Sequence, residues 1–140
     1  MTFVDTNVLV YAAADGAPLL DRARAALARI AADGPVTISR QILREYLSVM
    51  TRQQTWGRPL TLAQASVDTA EFVRQFTVLE DGPLVWDRLM MLSGRYSFAG
   101  RQVHDANLIA TMLVHDERRI LTFNDTDFRR FADLIEVVAP

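Results

Sequence analysis

Segments typical of β-strands alternate with segments typical of α-helices along the whole chain, and this alternation constrains the fold more than any other feature. Short apolar runs rich in Val and Ile are each followed by a longer stretch whose apolar residues recur every three or four positions. A strand–helix–strand order places successive strands side by side in the same direction. The pattern therefore predicts a three-layer α/β/α domain with a mostly parallel central sheet. A length of 140 residues suits one such domain spanning 1–140.

The element boundaries follow from local signals. Gly34-Pro35 ends the first long helix, Ser39 is placed to cap the next, and Asp81-Gly-Pro83 is typical of a turn that leads into another. The predicted strands are 2–11, 36–39, 76–79, 120–123 and 135–138. The predicted helices are 19–33, 40 to about 53, about 61–74, a segment after Pro83, 103–115 and a short turn at 125–127.

Composition excludes several classes of enzyme. All 15 basic residues are Arg, so the chain has no lysine for a P-loop or a Schiff base. It has no cysteine, which excludes disulfides, thiolate zinc sites and cysteine nucleophiles. The N-terminus has no signal-peptide pattern, and no apolar run approaches the ~20 residues that span a bilayer. We expect a cytoplasmic protein that does not associate with membranes.

Acidic residues occur where a buried sheet would not be expected to hold them. Asp5 interrupts the first apolar strand, Glu45 lies on a helix with an apolar face, and Asp105 begins another apolar helix. Each has an ordinary explanation: backbone hydrogen bonds for Asp5, solvation near Arg44 for Glu45, and helix-dipole stabilisation for Asp105. A further polar set, Asn124, Asp125 and Asp127, follows a strand, where turn and cap residues are common.

Taken together, these acids indicate a metal site. Functional groups of parallel α/β folds gather at the carboxyl ends of the strands, so several carboxylates would converge there and repel one another. Mg²⁺ or Mn²⁺, which prefers oxygen ligands, would neutralise them. The chemistry that uses such a site is phosphodiester hydrolysis. No Ser-His-Asp or Cys-His set offers a competing nucleophile.

The same motifs, in this order, resemble those of PIN-domain ribonucleases, and most of all the VapC-type toxins of bacterial toxin–antitoxin pairs. The resemblance covers nearly the whole chain. It rests on four blocks, which are Val4-Asp-Thr-Asn-Val-Leu9, Glu45, His104-Asp-Ala106, and Leu121-Thr-Phe-Asn124 continuing through Asp127-Phe128.

The resemblance implies roles for individual residues. Asp5 and Asp105 would be the principal ligands of Mg²⁺ or Mn²⁺, Glu45 a further ligand, and Glu45 or Asp127 would assist deprotonation of the attacking water. Thr6 and Asn7 would hold Asp5 by hydrogen bonds, although Thr6 is also compatible with a plain strand position. The last position stays open. Asn124 stands where many relatives have an acid, Asp127 matches the acid before the Phe, and Asp125 is a less favoured candidate.

Residues around the predicted centre have weaker assignments. Arg101 and Gln102 are candidates for phosphate binding, and His104 is a structural or substrate-adjacent side chain. Trp56 and Trp86 could stack on bases, but packing in the core or at an interface is the more common use of tryptophan at such positions. The resemblance also implies an RNA substrate, a homodimer and a cognate antitoxin that blocks the site, with the surfaces supplied by the apolar helices within 40–75.

Two other functions are compatible with parts of the pattern. An Asp after the first strand is found in phosphatases of the haloacid dehalogenase type, but those enzymes typically need a second Asp two residues later and a lysine. Here the position is Asn7, and lysine is absent. A non-catalytic RNA-binding module of the same fold is the other alternative. A phosphatase would act on small phosphate esters, a nuclease on RNA, and a binding module on neither.

Overall fold

The structure, a computed structural model that describes residues 1–140, has five strands in one sheet with every neighbouring pair parallel. The strands are β1 (Thr2–Val4), β2 (Val36–Ser39), β3 (Thr77–Leu79), β4 (Arg119–Leu121) and β5 (Glu136–Val138). Their order across the sheet is β3-β2-β1-β4-β5, which places β1 in the centre. The predicted three-layer α/β/α architecture is confirmed.

Seven helices connect the strands. They are α1 (Thr6–Ala13), α2 (Leu20–Asp33), α3 (Arg40–Met50), α4 (Leu62–Gln75), α5 (Pro83–Arg95), α6 (Gln102–Val114) and α7 (Asp125–Phe128), and a 3₁₀ turn (Arg129–Phe131) follows α7. Ser39 caps α3 and Thr61 caps α4 through a reciprocal pair of bonds with Gln64. None of these helices is both long and apolar enough to span a membrane.

The prediction of a strand over 2–11 is wrong beyond Val4. Asp5 is the N-cap of α1: its backbone is extended and its side chain accepts a hydrogen bond from the Thr6 amide, so the chain turns into a helix at Thr6. The run Val8-Leu9-Val10 is buried inside α1. A short, continuous apolar run does not distinguish a buried helix from a buried strand, and this ambiguity produced the error.

Smaller differences lie at the other element ends. Helix α3 ends at Met50 rather than near Gln53, and β4 ends at Leu121 rather than at Phe123. The early end of β4 frees the Thr122 side chain to contact the end of β1. The core is one cluster of 29 buried apolar residues between the sheet and the helices. Because α6 crosses this core, most of its residues are buried.

Candidate active site

Asp5 lies at the carboxyl end of the central strand and is held on both carboxylate oxygens. Its Oδ1 accepts from the Thr6 backbone N–H at 2.7 Å. Its Oδ2 accepts from Thr122 Oγ1 at 2.7 Å and from Asn7 Nδ2 at 3.0 Å. Only 7 % of its surface is exposed, and the three donors fix the orientation of the buried carboxylate. These bonds match the supporting roles expected of Thr6 and Asn7.

Asn7 and Thr122 join α1 to the segment that follows β4. Asn7 Oδ1 accepts from the Phe123 backbone N–H at 3.1 Å, and Asn7 Nδ2 donates to Thr122 Oγ1 at 3.2 Å. Thr122 Oγ1 also accepts from the Asn124 N–H at 2.9 Å. Thr122 had no predicted role. Its position at the end of a strand next to that of Asp5 is the signal that would have identified it.

Glu45 faces the same end of the sheet from α3. Its Oε2 accepts from Thr6 Oγ1 at 2.7 Å, and its Oε1 accepts from Gln41 Nε2 at 2.8 Å. The same Gln41 nitrogen donates to the His104 carbonyl at 2.9 Å, and Gln41 Oε1 accepts from Asn107 Nδ2 at 2.8 Å. The buried Gln41 amide therefore links Glu45 to the first turn of α6, which carries Asp105. Sequence reasoning missed Gln41, one helical turn before Glu45.

These groups open into a cleft of about 830 Å³. It brings together most of the residues singled out from the sequence, namely Asp5, Thr6, Asn7, Glu45, Arg101, Gln102, His104, Asp105, Asn124 and Asp127. Asp125 does not line the cleft. Its carboxylate is exposed and forms an ion pair with Arg129 at 2.8 Å. Of the two acids in the short helix α7, only Asp127 faces the other carboxylates.

Burial and neighbouring negative charge raise the pKa values of two of these groups. Burial is the main cause that raises the pKa of Asp5 to about 6. The charges of Glu45 and Asp127 add to it, while hydrogen bonds from Thr122 and Thr6 oppose it. Burial also raises the pKa of Asp105 to about 7, helped by the charges of Asp127, Asp5 and Glu45, and only Arg130 acts against it. None of the four acids forms an ion pair with an Arg, so a bound cation would favour the ionised forms of Asp5 and Asp105.

The sequence profile of the PIN domain family matches residues 2–134. The chain belongs to the PIN-domain family. Among curated proteins, ribonuclease VapC24 of Mycobacterium tuberculosis is 31 % identical over 142 aligned positions, which cover 96 % of this chain and 97 % of that protein. At that identity and coverage the chain is a PIN-domain protein of the VapC type.

Solved structures of VapC proteins share the fold. The structure of VapC20 from M. tuberculosis, described as a sarcin-ricin loop cleaving toxin, superposes with a TM-score of 0.70 at 19 % identity, covering all of both chains. The VapBC2 complex from Rickettsia felis, bound to a DNA fragment of its promoter, gives a TM-score of 0.68 at 14 % identity. That match covers 99 % of this chain and 98 % of the other. These similarities support the three-layer fold of the PIN domain.

PIN-domain ribonucleases generally use divalent metal ions, and the donor set of this cleft fits such an ion. The four acids offer only oxygen ligands, and none of them forms an ion pair with an Arg. No three acidic or histidine side chains lie close enough to form a complete metal cage. The geometry suits a cation that keeps several waters and binds one or two carboxylates directly, as Mg²⁺ usually does.

Proposed function

We propose that this protein is a metal-dependent endoribonuclease and the toxin of a toxin–antitoxin pair, acting in the cytoplasm. One observation carries the proposal: Asp5, Glu45, Asp105 and Asp127 line one cleft without a cationic partner among them. Relatives with the same domain include a protein named as a ribonuclease. The absence of lysine and of an Asp at position 7 disfavours the phosphatase alternative.

Asp5 and Asp105 would hold Mg²⁺ or Mn²⁺, with Glu45 contributing through a water, since no three acids lie close enough to bind one ion directly. When bound, the cation would neutralise the acids, polarise the phosphate and make water a better nucleophile. The carboxylates of Asp105 and Asp127 accept no hydrogen bond from a protein side chain, so they are free to bind a cation or take up a proton. Asp127 is suited to accept the proton that the attacking water loses.

The chain's own residues also position the substrate. Arg101 and His104 line the cleft beside Asp105, where a guanidinium and an imidazole can donate to phosphate oxygens. Asn124 lines the cleft as well and supplies an amide at the position where many relatives have an acid. A bound cation would make the acidic centre compatible with a polyanionic RNA.

The proposed partners are an antitoxin and a second copy of the chain. Solved relatives include toxin–antitoxin complexes, such as one from Klebsiella pneumoniae with a TM-score of 0.67 at 20 % identity, covering 99 % of this chain and 96 % of the other. Large apolar side chains are exposed on α4 and α5, and are suited to contact protein partners. They are Leu62, Val67, Val73, Leu84, Trp86, Met90 and Met91. The proposed partner surface therefore includes α5 as well as the helices within 40–75.

The proposal is tested by cleavage of total cellular RNA with the purified protein, in Mg²⁺ or Mn²⁺ and in EDTA. We expect discrete cuts that require the cation. Asp5→Asn and Asp105→Asn should each lower the rate by more than the roughly 10–100-fold that loss of an outer-shell partner typically costs. Asn still caps a helix, so Asp5→Asn removes the charge and keeps the start of α1.

Asp125→Asn is the matched control, because it makes the same chemical change on an acid outside the cleft. The cleavage rate of the Asp125→Asn variant should stay within about twofold of the wild-type rate, since an exposed ion pair contributes little to stability. A folded, cation-supplied and antitoxin-free protein that cuts no RNA would overturn the nuclease and favour a binding module. Equal losses in the Asp125 and Asp5 variants would overturn the site assignment.

A further inference from the structure

The cleft continues past the acids along one face of α1. Asn7, Val10 and Tyr11 line it, and their spacing of three and four residues places them on the same side of the helix. Four residues of helix advance about 6 Å, so Tyr11 lies about one turn farther along α1 than Asn7. The part of the cleft that Val10 and Tyr11 line takes no part in the chemistry described above.

Helix α3 and the turn that follows it form the opposite wall. Glu45, Ser48 and Val49 of α3 line the cleft at steps of three and four residues from the Glu, and Arg52 lines it two residues past the end of the helix at Met50. Arg52 is exposed and forms no ion pair with an acid of the chain. Because its guanidinium has no acidic partner, Arg52 is suited to bind an RNA phosphate adjacent to the phosphate that would lie at the acids.

Aromatic rings close this end of the cleft. Trp56 lines it, half-buried, and packs edge-on against Tyr11 with ring centroids 5.6 Å apart and planes at 62°. Tyr11 in turn packs edge-on against Phe123 at 5.3 Å and 79°. Trp56 thus packs against a neighbouring ring, the use favoured from the sequence, and it also lines the cleft.

The loop that carries Trp56 is held in place by its own hydrogen bonds. Gln54 Nε2 donates to the Val49 carbonyl at 2.7 Å, and Gln53 Nε2 donates to the Gly57 carbonyl at 3.0 Å. Gly16, at φ +78°, passes so close that an added Cβ would lie 3.2 Å from the Trp56 carbonyl oxygen. The aromatic wall is thus pre-organised, which lowers the entropy that a bound base would have to overcome.

We propose that Trp56 and Tyr11 form a stacking subsite for an unpaired nucleobase next to the scissile phosphate, with Arg52 binding the adjacent phosphate. The proposal rests on the proposed ribonuclease function and adds to it the residues that would contact the base and the phosphate beside the cut. A base in a continuous duplex has both faces covered by its neighbours, whereas a base in a single strand or loop can stack on an aromatic ring. The subsite therefore selects RNA that is single-stranded beside the cut.

The chain has two tryptophans, so Trp86→Phe leaves Trp56 as the only indole. In that background, with Asp5→Asn to prevent cleavage, the Trp56 fluorescence is titrated with a short single-stranded RNA and with its blunt duplex. RNA binding is followed separately by the anisotropy of an end-labelled strand. We expect the single strand to quench Trp56 in parallel with binding, and the duplex to quench it much less.

Substitution then separates stacking from packing. Trp56→Leu keeps an apolar side chain but has no π face, and should raise KM for single-stranded RNA ~10-fold or more with a smaller change in kcat. Trp56→Phe keeps the π face and should stay within about threefold of the wild type. Phe76→Leu is the control, because this half-buried aromatic residue packs against Phe72 and does not line the cleft, and it should leave KM unchanged.

Equal KM values for the Leu and Phe variants, at equal thermal stability, would overturn the subsite. So would RNA binding that leaves Trp56 emission unchanged. If the protein binds RNA with quenching of Trp56 fluorescence but the wild type cuts no RNA, the proposed nuclease is contradicted and the subsite is not. If the wild type cuts RNA and the KM of the Trp56→Leu variant is unchanged, only the subsite is contradicted.

Discussion

Asp5 combines a structural and a chemical role in one side chain. Its Oδ1 caps α1 through the Thr6 amide, and its Oδ2 accepts from Thr122 and Asn7 at the end of the cleft. The capping bond holds the carboxylate at the start of the helix, where the dipole favours negative charge. Burial acts in the opposite direction and is the larger influence, because the pKa of Asp5 is raised.

The raised pKa values of Asp5 and Asp105 predict a stability that falls as pH rises in EDTA. Both carboxyls ionise near pH 3.8 when unfolded but only near about 6 and about 7 when folded. Between these values the folded state binds more protons, so the free energy of unfolding decreases from about pH 4 to pH 7. The measurement is the unfolding temperature of wild type minus that of Asp105→Asn across this range.

Mn²⁺ should reverse this trend, since a cation binds the ionised acids of the folded state alone. We expect it to raise the unfolding temperature more at pH 8 than at pH 5, and to have little effect on the Asp5→Asn Asp105→Asn double variant. A Mn²⁺ effect that is independent of pH, or equal in the double variant, would place the cation elsewhere.

Gln41 should act as a positioning residue for Glu45 and the first turn of α6. Gln41→Met keeps the length of the side chain but removes the amide that bonds Glu45, the His104 carbonyl and Asn107. We expect a loss of roughly 10–100-fold in cleavage rate or in Mn²⁺ affinity, the usual effect of removing an outer-shell partner. Mn²⁺ affinity measured by calorimetry is the readout that does not depend on turnover.

Gln75→Met is the control, since this exposed residue bonds only Glu71 at the end of α4. It should bind Mn²⁺ and cleave RNA as the wild type does. A Gln41→Met protein with normal Mn²⁺ affinity and normal kcat would contradict the positioning role, whatever its stability.

At the level of elements, α3 serves the core and the cleft with different faces. Ile42, Tyr46 and Met50 are buried, while Glu45 and Ser48 line the cleft. Tyr46 is fully buried, and its hydroxyl donates to Asp68 Oδ2 at 2.7 Å, which ties α3 to α4. Neighbouring residues of α3 such as Glu45 and Tyr46 therefore serve different purposes: Glu45 lines the cleft and Tyr46 packs in the core.

Tyr46→Phe should distinguish the contribution of the core face of α3 to stability from that of the cleft face to activity. It removes only the hydroxyl, so we expect the free energy of unfolding to fall by about 1 kcal/mol, the typical net contribution of one hydrogen bond. Chemical denaturation measures this loss, and the cleavage rate should stay within about twofold. A large loss of activity at unchanged stability would show that the α3–α4 contact controls the cleft.

On the scale of the whole molecule, the apolar surface of α5 is the face that most resembles an interface. Leu84 and Met91 are seven residues apart on one side of the helix, with 69 % and 67 % of their surface exposed. Under the proposed homodimer, the Leu84→Asp Met91→Asp pair should produce a monomer in sedimentation experiments. The comparison is the Leu62→Asp Val73→Asp double variant, which changes two exposed residues of α4. If the α5 double variant remains a dimer, the interface lies elsewhere.

The distribution of charge over the molecule is uneven. The formal net charge is only −2, yet four of the acids lie in one cleft. A small net charge therefore conceals a local excess of acids, because four acids and two arginines, Arg52 and Arg101, line the cleft. For a polyanionic substrate the position of the charges matters more than their sum, since screening limits their effect to about 8–10 Å.

Much of the fold could be predicted from the sequence because its signals are local. The helices at Leu20–Asp33 and Leu62–Gln75 and the strand at Val36–Ser39 follow from periodicity and caps contained within each segment. The strand–helix order then implies parallel strands and brings their carboxyl ends to one edge. The same logic predicts that Asp5, Glu45 and Asp105 lie near one another.

Tertiary structure alone decided the details on which the chemistry depends. The bond from Thr122 to Asp5 joins residues 117 positions apart, and Gln41 reaches Asn107 across 66 positions. Which way α7 turns determines that Asp127 faces the cleft while Asp125 pairs with Arg129. Such contacts depend on how elements pack against one another, and no window of neighbouring residues contains that information. Local periodicity thus determined what each segment becomes, and long-range packing determined which side chains meet.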